Sequence, residues 1–563
     1  MTRVAPPPSR RGHLRPRASL PAALPILAAA LLAPATFGQA TEDAFGEVID
    51  VRVVNLEVVV TENGERVRNL EPEDFIIEVN DKEVPVEYFT EVFGGSAVVP
   101  SEDVAGAVPA LAPGEVVSTS YLLFIDNFFS ITRDRDQVLD GLIEQLPNMQ
   151  PEDRMAVVAY DGKTVEMLAN WSTSQRDLTR TLKQSKNLEA RGLQRLAEER
   201  AYDTRRLLER RDQFTGGELL EFAVGLEQEE EQYALLLSQQ VQGAVKAASA
   251  TLRGFANPPG RKVMILLSGG WPNDPTRYVV TDPARAITLN QSQVVSGRQL
   301  LRPLVETANL LSYSLYPIDV PGLWNRDFDI VDQTVEDGEL RRNESALRED
   351  EVEFALLDMA SQTGGRALID GARTAAFERI VADTRSYYWL GFTPDWQGDD
   401  TEHEVKVRMR DRGLKARSRK GYADLSRQTE VTLMVESALR FGEAPAAVPL
   451  VAEVGRGKRS GWGKREVPLS LQIPMDQVTF LPQSEGLVAQ LELRVAVLDE
   501  RGNEAEVPVV PLTFLAKGQP EDGARATYET SLRLRNDPHD VVVSIYDRAS
   551  GKIMSTKVQV AKF

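Results

Sequence analysis

Four near-continuous apolar runs set the strongest limit on how this chain can fold. They read "YLLFID" (121–126), "RMAVVAY" (154–160), "KVMILLS" (262–268) and "LLSYSLYPID" (310–319). A strand with one wet face alternates polar and apolar residues. A run apolar throughout must be covered on both faces, which is the condition of a parallel sheet lined by helices. Helical patterns accompany the runs: "RDQVLDGLIEQL", "RQLLRPLVETAN" and "EVEFALLDMASQTG", the last stopping at Gly364-Gly365. Strands alternating with helices define a doubly wound α/β unit, placed here at 118–422.

The remainder is read around that unit, giving a fold class of α/β and β multidomain. Residues 46–93 form a small β-module with turns at Asn63-Gly64 and Asn80-Asp81. Residues 94–117, rich in Gly, Pro and Ala, read as a linker. Residues 184–254 carry no strand signal and read as a helical-hairpin insertion projecting from the sheet. One arm is rich in Arg and Glu, the other opens acidic, and Gly216-Gly217 separates them. A charged, solvated surface and a partner-binding arm are both open for it. Residues 428–563 alternate as short strands, with turns at Arg501-Gly502-Asn503 and Ala549-Ser550-Gly551, and predict a β-sandwich.

Residues 1–40 carry five arginines and no acid, then an apolar stretch ending in "GQA". That is the pattern of a cleaved export signal, and "SRRGHLR" loosely resembles the twin-arginine variety. The expectation is an exported chain, periplasmic or extracellular, carried by the Sec or the twin-arginine route. It would touch the membrane only through this segment, were the segment retained. With no cysteine, thiolate metal sites, Cys nucleophiles and disulfides are excluded. A net charge of -19 argues against a nucleic-acid partner.

The α/β region resembles a von Willebrand factor A domain, and 46–422 resembles the bacterial VWFA-related proteins of the acidobacterial type. The pieces that carry the likeness include "VVNLEVVVTENGERVRNLEPEDFIIEVND", "LLFIDNFFS", "GRKVMILLSGG", "YSLYPIDVPGL", "LLDMASQTGGRAL" and "YYWLGFTPD". The resemblance implies a Mg²⁺ site at the strand ends, built from Asp-x-Ser-x-Ser, a Thr and a further Asp; hard oxygens suit that ion. Asp126 and Ser130 match the pattern. Phe128 stands in place of the first serine and Gly269 in place of the later acid. Asp274 comes five residues after Gly269, and Thr215 is a guess for the threonine. The metal pattern is therefore degenerate, with Asp126 and Ser130 as its remaining candidates and weak Mg²⁺ binding the most it would support. Asp126 can equally cap a helix or order adjacent loops.

Asp126, Ser130, Trp271 and Asp274 are expected to share one partner-binding rim. Asp327, Asp329 and Asp332 lack calcium-loop spacing. His403 and His539 fall in no triad or metal spacing. These readings predict no catalytic residues and no cofactor. They predict a non-enzymatic interaction or adhesion protein with a protein partner in the cell envelope. A Mg²⁺-dependent adhesin and an envelope-polymer hydrolase are the alternatives.

Overall fold

The computed structural model describes residues 53–98, 108–109, 111–211, 217–255, 258–280, 294–320, 335–369, 373–441, 448–461, 463–483, 486–499 and 507–562. The expected export signal, Thr215, the aspartates at 327–332 and the turn at 501–503 lie outside the described residues.

The chain is a mixed α/β protein with several sheets. Among the described residues its central sheet has five strands in the spatial order Val165–Ser172, Arg154–Tyr160, Thr119–Asp126, Arg261–Ser268, Tyr313–Asp319. All neighbours are parallel except the first pair, where Val165–Ser172 runs antiparallel along one edge. The four apolar runs are thus four adjacent strands, and both faces are covered as their composition demands. On one face Tyr121, Leu123 and Ile125 pack with Val138, Leu142, Leu178 and Phe377. On the other, Leu122, Phe124 and Leu266 meet Leu237, Val241, Ala248 and Leu304. Each such side chain is worth about 1.5–3 kcal/mol relative to exposure.

The helical segment 184–254 differs from the expected projection. It contains the helices Gly192–Arg211 and Gly217–Gly254. The second half of the longer helix lies on the sheet, with Ala234, Leu237, Val241, Ala244, Val245, Ala248 and Leu252 buried. The Ala-rich stretch read as one arm of a hairpin is a cover of the core. Small side chains let the helix sit close to the strands.

The expected β-module does not close on itself. Strand Val54–Glu62 pairs antiparallel with Tyr387–Phe392 and with Lys415–Arg417, and Tyr88–Phe93 pairs with Tyr387–Phe392. Phe75–Val79 pairs with Thr401–Met409. Strands assigned by linear order to the α/β unit therefore share a core with residues 54–93, including Leu56, Val58, Ile77, Leu390 and Val405. Buried charges join this β unit to the α/β unit. Asp383 accepts from Arg66 (2.7 Å), Arg417 (2.6 Å) and the Tyr316 hydroxyl (2.7 Å), and Arg261 pairs with Glu57 at 2.9 Å.

The C-terminal region opens with a helix, Arg427–Phe441, where strands were expected. Val431, Val435, Ala438 and Leu439 bury against Ala496, Val542 and Tyr546, a helical spacing that the strand reading passed over. Two sheets follow. One holds Gly486–Asp499, Val509–Ala516, His539–Asp547 and Ile553–Val560; the other is built on Lys464–Pro474 and Arg525–Arg535. Leu469, Leu471, Leu491, Val541 and Val543 fill the space between them.

Candidate functional site at the strand ends

Open α/β sheets bind ligands at the carboxyl ends of their strands. Asp126 closes the strand Thr119–Asp126 at that end and is completely buried. Its Oδ1 accepts from the backbone N–H groups of Phe128 (3.0 Å) and Phe129 (3.1 Å). Its Oδ2 accepts from the Ser268 hydroxyl (2.7 Å) and from the indole Nε1–H of Trp271 (2.8 Å). Burial pushes this carboxyl above the usual range, and Trp271, Ser268 and the two backbone groups pull it part of the way back. Four donors converge on one carboxylate, so its lone pairs are taken by the protein.

A divalent cation does not fit this donor set. Mg²⁺ asks for near-octahedral oxygen ligands at about 2.0–2.1 Å. Any approach to Asp126 meets N–H and O–H groups pointing the same way the cation would. Phe128 and Gly269 contribute no side-chain oxygen. Ser130 is buried, and its hydroxyl has no hydrogen-bond partner among the described residues; one hydroxyl cannot hold the ion.

The departures from the metal pattern have packing reasons. At Gly269 a Cβ would come within 1.9 Å of the Phe129 carbonyl oxygen, so an acid there would drive the two loops apart. The Phe128 ring lies against Gly162, where a Cβ would come within 2.3 Å of it. Trp271 then occupies the space between the loops, fully buried within the core.

The four expected rim residues are all buried rather than displayed. Trp271 is turned inward by its bond to Asp126. Asp274 caps the short helix Pro275–Val279, accepting from Thr276 N (3.0 Å) and Arg277 N (3.2 Å).

What stays open is a neighbouring cleft of about 80 Å³, walled by Phe129, Ile131, Leu196 and Val352 and floored by Gly269 and Gly270. Arg195 reaches into its wall from the helix Gly192–Arg211. Its guanidinium carbon lies 4.3 Å from the centre of the Phe129 ring, and its Nη1 is buried with no partner among the described residues. Arg348 also lines the cleft, but Glu199 pairs with it at 2.7 Å, and Tyr278 donates to the same carboxylate at 3.0 Å. Asp319, Glu349 and Glu353 line the same cleft. Burial, then Glu349 and Asp350, push Glu353 up. The sequence reading passed over Arg195, because a lone arginine in a charged helix carries no distinguishing signal.

A second cluster lies away from this rim. Asp399, His403 and Asp424 bring ligand atoms within 4.8 Å of one another. Their hydrogen bonds argue against a metal there. Asn80 Oδ1 accepts from Glu404 N (3.0 Å), so its Nδ2 is the group that donates to His403 Nδ1 (2.9 Å). The neutral ring then carries its proton on Nε2 and donates to Thr401, which donates to Asp399. Neither ring nitrogen is left for a cation. His539 is buried at the start of the strand His539–Asp547.

No family model and no curated protein matches this chain. Solved structures that match parts of it weakly include the SpRpn10 VWA domain, at 9% identity over 36% of this chain and 75% of that one, TM-score 0.16. The ArnB paralog VWA2 from Sulfolobus acidocaldarius is 10% identical over 90% of this chain and 74% of that one, TM-score 0.18. The pilus adhesin SpaC from Lactobacillus rhamnosus GG is 8% identical over 86% of this chain and 60% of that one, TM-score 0.23. The chain spans only 16% and 19% of the length of two larger structures that it also matches. TM-scores this low carry no argument about function.

Proposed function

We propose that this chain is an exported, non-enzymatic interaction or adhesion protein, built on a von Willebrand A-type domain that works without a metal ion. The parallel sheet with one antiparallel edge strand, together with the sequence pieces given above, supports the domain assignment. One observation carries the functional reading. At the strand ends the Asp126 carboxylate is consumed by internal hydrogen bonds, and what remains open is a cleft with apolar walls that Arg195, Arg348, Asp319, Glu349 and Glu353 also line. Apolar walls bordered by charges of both signs suit recognition of a protein surface more than bond-making chemistry. The partner is a protein of the cell envelope. Among the described residues no helix is long and apolar enough to cross a membrane.

The test is capture from an envelope extract on the immobilised protein, in EDTA and in Mg²⁺, alongside Leu196→Glu, which places a charge on the cleft wall. A protein retained equally in both buffers and lost by the variant is the expected result. A retained protein that needs Mg²⁺, or one indifferent to Leu196→Glu, overturns the proposal.

A further inference from the structure

We propose that the outer side of the helix Val335–Gln362 is a docking surface for a basic amphipathic helix of a partner protein. The helix borders the strand-end cleft, but the inference does not rest on how that cleft is used.

The first support is an exposed apolar stripe. Leu347, Phe354 and Leu357 are 45%, 52% and 50% exposed. Among the described residues no other helix exposes more than one large apolar side chain. Residues at this spacing fall on one side of a helix. The opposite side is already used, since Ala355, Leu356 and Met359 are buried in the core of the α/β unit. The stripe therefore adds nothing to that core. Contiguous apolar side chains left in water mark an interaction surface.

The second support is the charge that borders the stripe. At about 3.6 residues per turn, Glu349 and Glu353 fall along one side of it, and Glu351 and Asp358 along the other. Asp350 falls within it. Arg277 pairs with Glu351 at 3.5 Å and Arg298 with Asp358 at 3.8 Å, so that side is partly compensated. Among the described residues Glu349, Asp350 and Glu353 form no ion pair. Burial, then the charges of Glu349 and Asp350, push the Glu353 carboxyl up. The stripe is thus apolar along its middle and negative along its borders.

The occupant follows from that complementarity. An apolar ridge on a second helix can pack into the stripe, and Lys or Arg beside that ridge would meet the acids. A second copy of this chain would set the same acids against each other, whichever way the two helices ran. An anionic lipid surface would be repelled for the same reason. A helix of a partner protein, apolar on one face and basic beside it, satisfies both the stripe and its borders.

The probe is a blocked, fluorescein-labelled peptide of three copies of Leu-Lys-Ala-Leu-Lys-Lys-Ala, titrated against the full chain by fluorescence anisotropy. The same peptide with Glu for every Lys is the control. The Lys peptide should bind saturably and the Glu peptide about tenfold more weakly. Phe354→Ser should weaken the Lys peptide about tenfold, because it removes apolar contact and no charge. Leu357→Ser serves as a second variant. Asp350→Asn with Glu353→Gln should weaken it about fivefold and flatten its dependence on salt. Leu196→Glu, on the cleft wall, should leave it unchanged, which separates this surface from the cleft. Equal binding of the two peptides, or binding unchanged in both serine variants, overturns the proposal, as does loss of binding in Leu196→Glu. Two measurements test the other occupants. Phe354→Ser should shift the melting temperature by less than about 2 °C, as expected of a half-exposed side chain; a larger fall would mean that the chain itself covers the stripe, and overturns the proposal. A dimer in light scattering that Phe354→Ser dissociates would give the stripe to a second copy, and overturns it too.

Discussion

Replacing Asp126 by Asn separates a structural anchor from a metal ligand. The substitution changes almost no volume, so it opens no cavity. The Asn carbonyl can still accept from Phe128 N and Phe129 N, now at 3.0 and 3.1 Å from Oδ1. Its amide NH₂ then faces two donors. The Ser268 hydroxyl can rotate and accept. The Trp271 indole cannot, so a contact now at 2.8 Å becomes donor against donor. A buried donor left unsatisfied costs about 1–3 kcal/mol, and trading a charged acceptor for a neutral one weakens the remaining bonds. The expected loss is about 2–4 kcal/mol, measured by urea unfolding at pH 7 in EDTA, with circular dichroism following the transition. A metal ligand behaves in the opposite way. Its loss in EDTA is nearly neutral, and only the wild type gains stability as Mg²⁺ is added. That second pattern would refute the anchor.

Gly269→Asp, which writes the implied acid back into the loop, should confer no Mg²⁺ uptake in calorimetry and should destabilise the chain, because its Cβ meets the Phe129 carbonyl oxygen; measurable Mg²⁺ binding by this variant would contradict the packing argument. Asp383→Asn should cost about 3 kcal/mol at pH 7, since Arg66 and Arg417 lose their buried partner. Burial alone would raise the Asp383 carboxyl, but Arg417 and Arg66 outweigh it and hold the folded value below the ordinary 3.8. Its contribution is therefore complete above that ordinary value and lost as pH falls toward the folded one. The gap between wild type and variant in pH-dependent unfolding should close in acid; a gap constant down to pH 2 would exclude this ion pair as its source.

Much of the architecture was legible because periodicity reports burial. Apolar runs on both phases announced the central strands, and Asp126 at the end of one of them stood out. Two things were hidden. Pairing between distant strands leaves no local trace, so residues 54–93 looked self-contained although their partners lie at 387–417. Side-chain direction is equally silent. Trp271 was expected at the rim on its loop position, and only the inward carboxylate explains why it is buried. Phe128 and Gly269 did announce that the metal pattern was broken. What closed the gap, an indole N–H and a serine hydroxyl, could not be read from spacing.

The pairing of Val54–Glu62 with Tyr387–Phe392 has a consequence for synthesis. Leu70 bonds to the Tyr388 hydroxyl across 318 residues of chain. At roughly 5–20 residues per second, that partner emerges roughly 15–60 s later. Through that interval the strand has only the two-residue Glu65–Arg66 beside its end, and an apolar strand with mostly open edges invites the wrong neighbour. The β unit closes late although its first strand is made early. Folding of this chain therefore depends on keeping its beginning unpaired until most of the rest has been made.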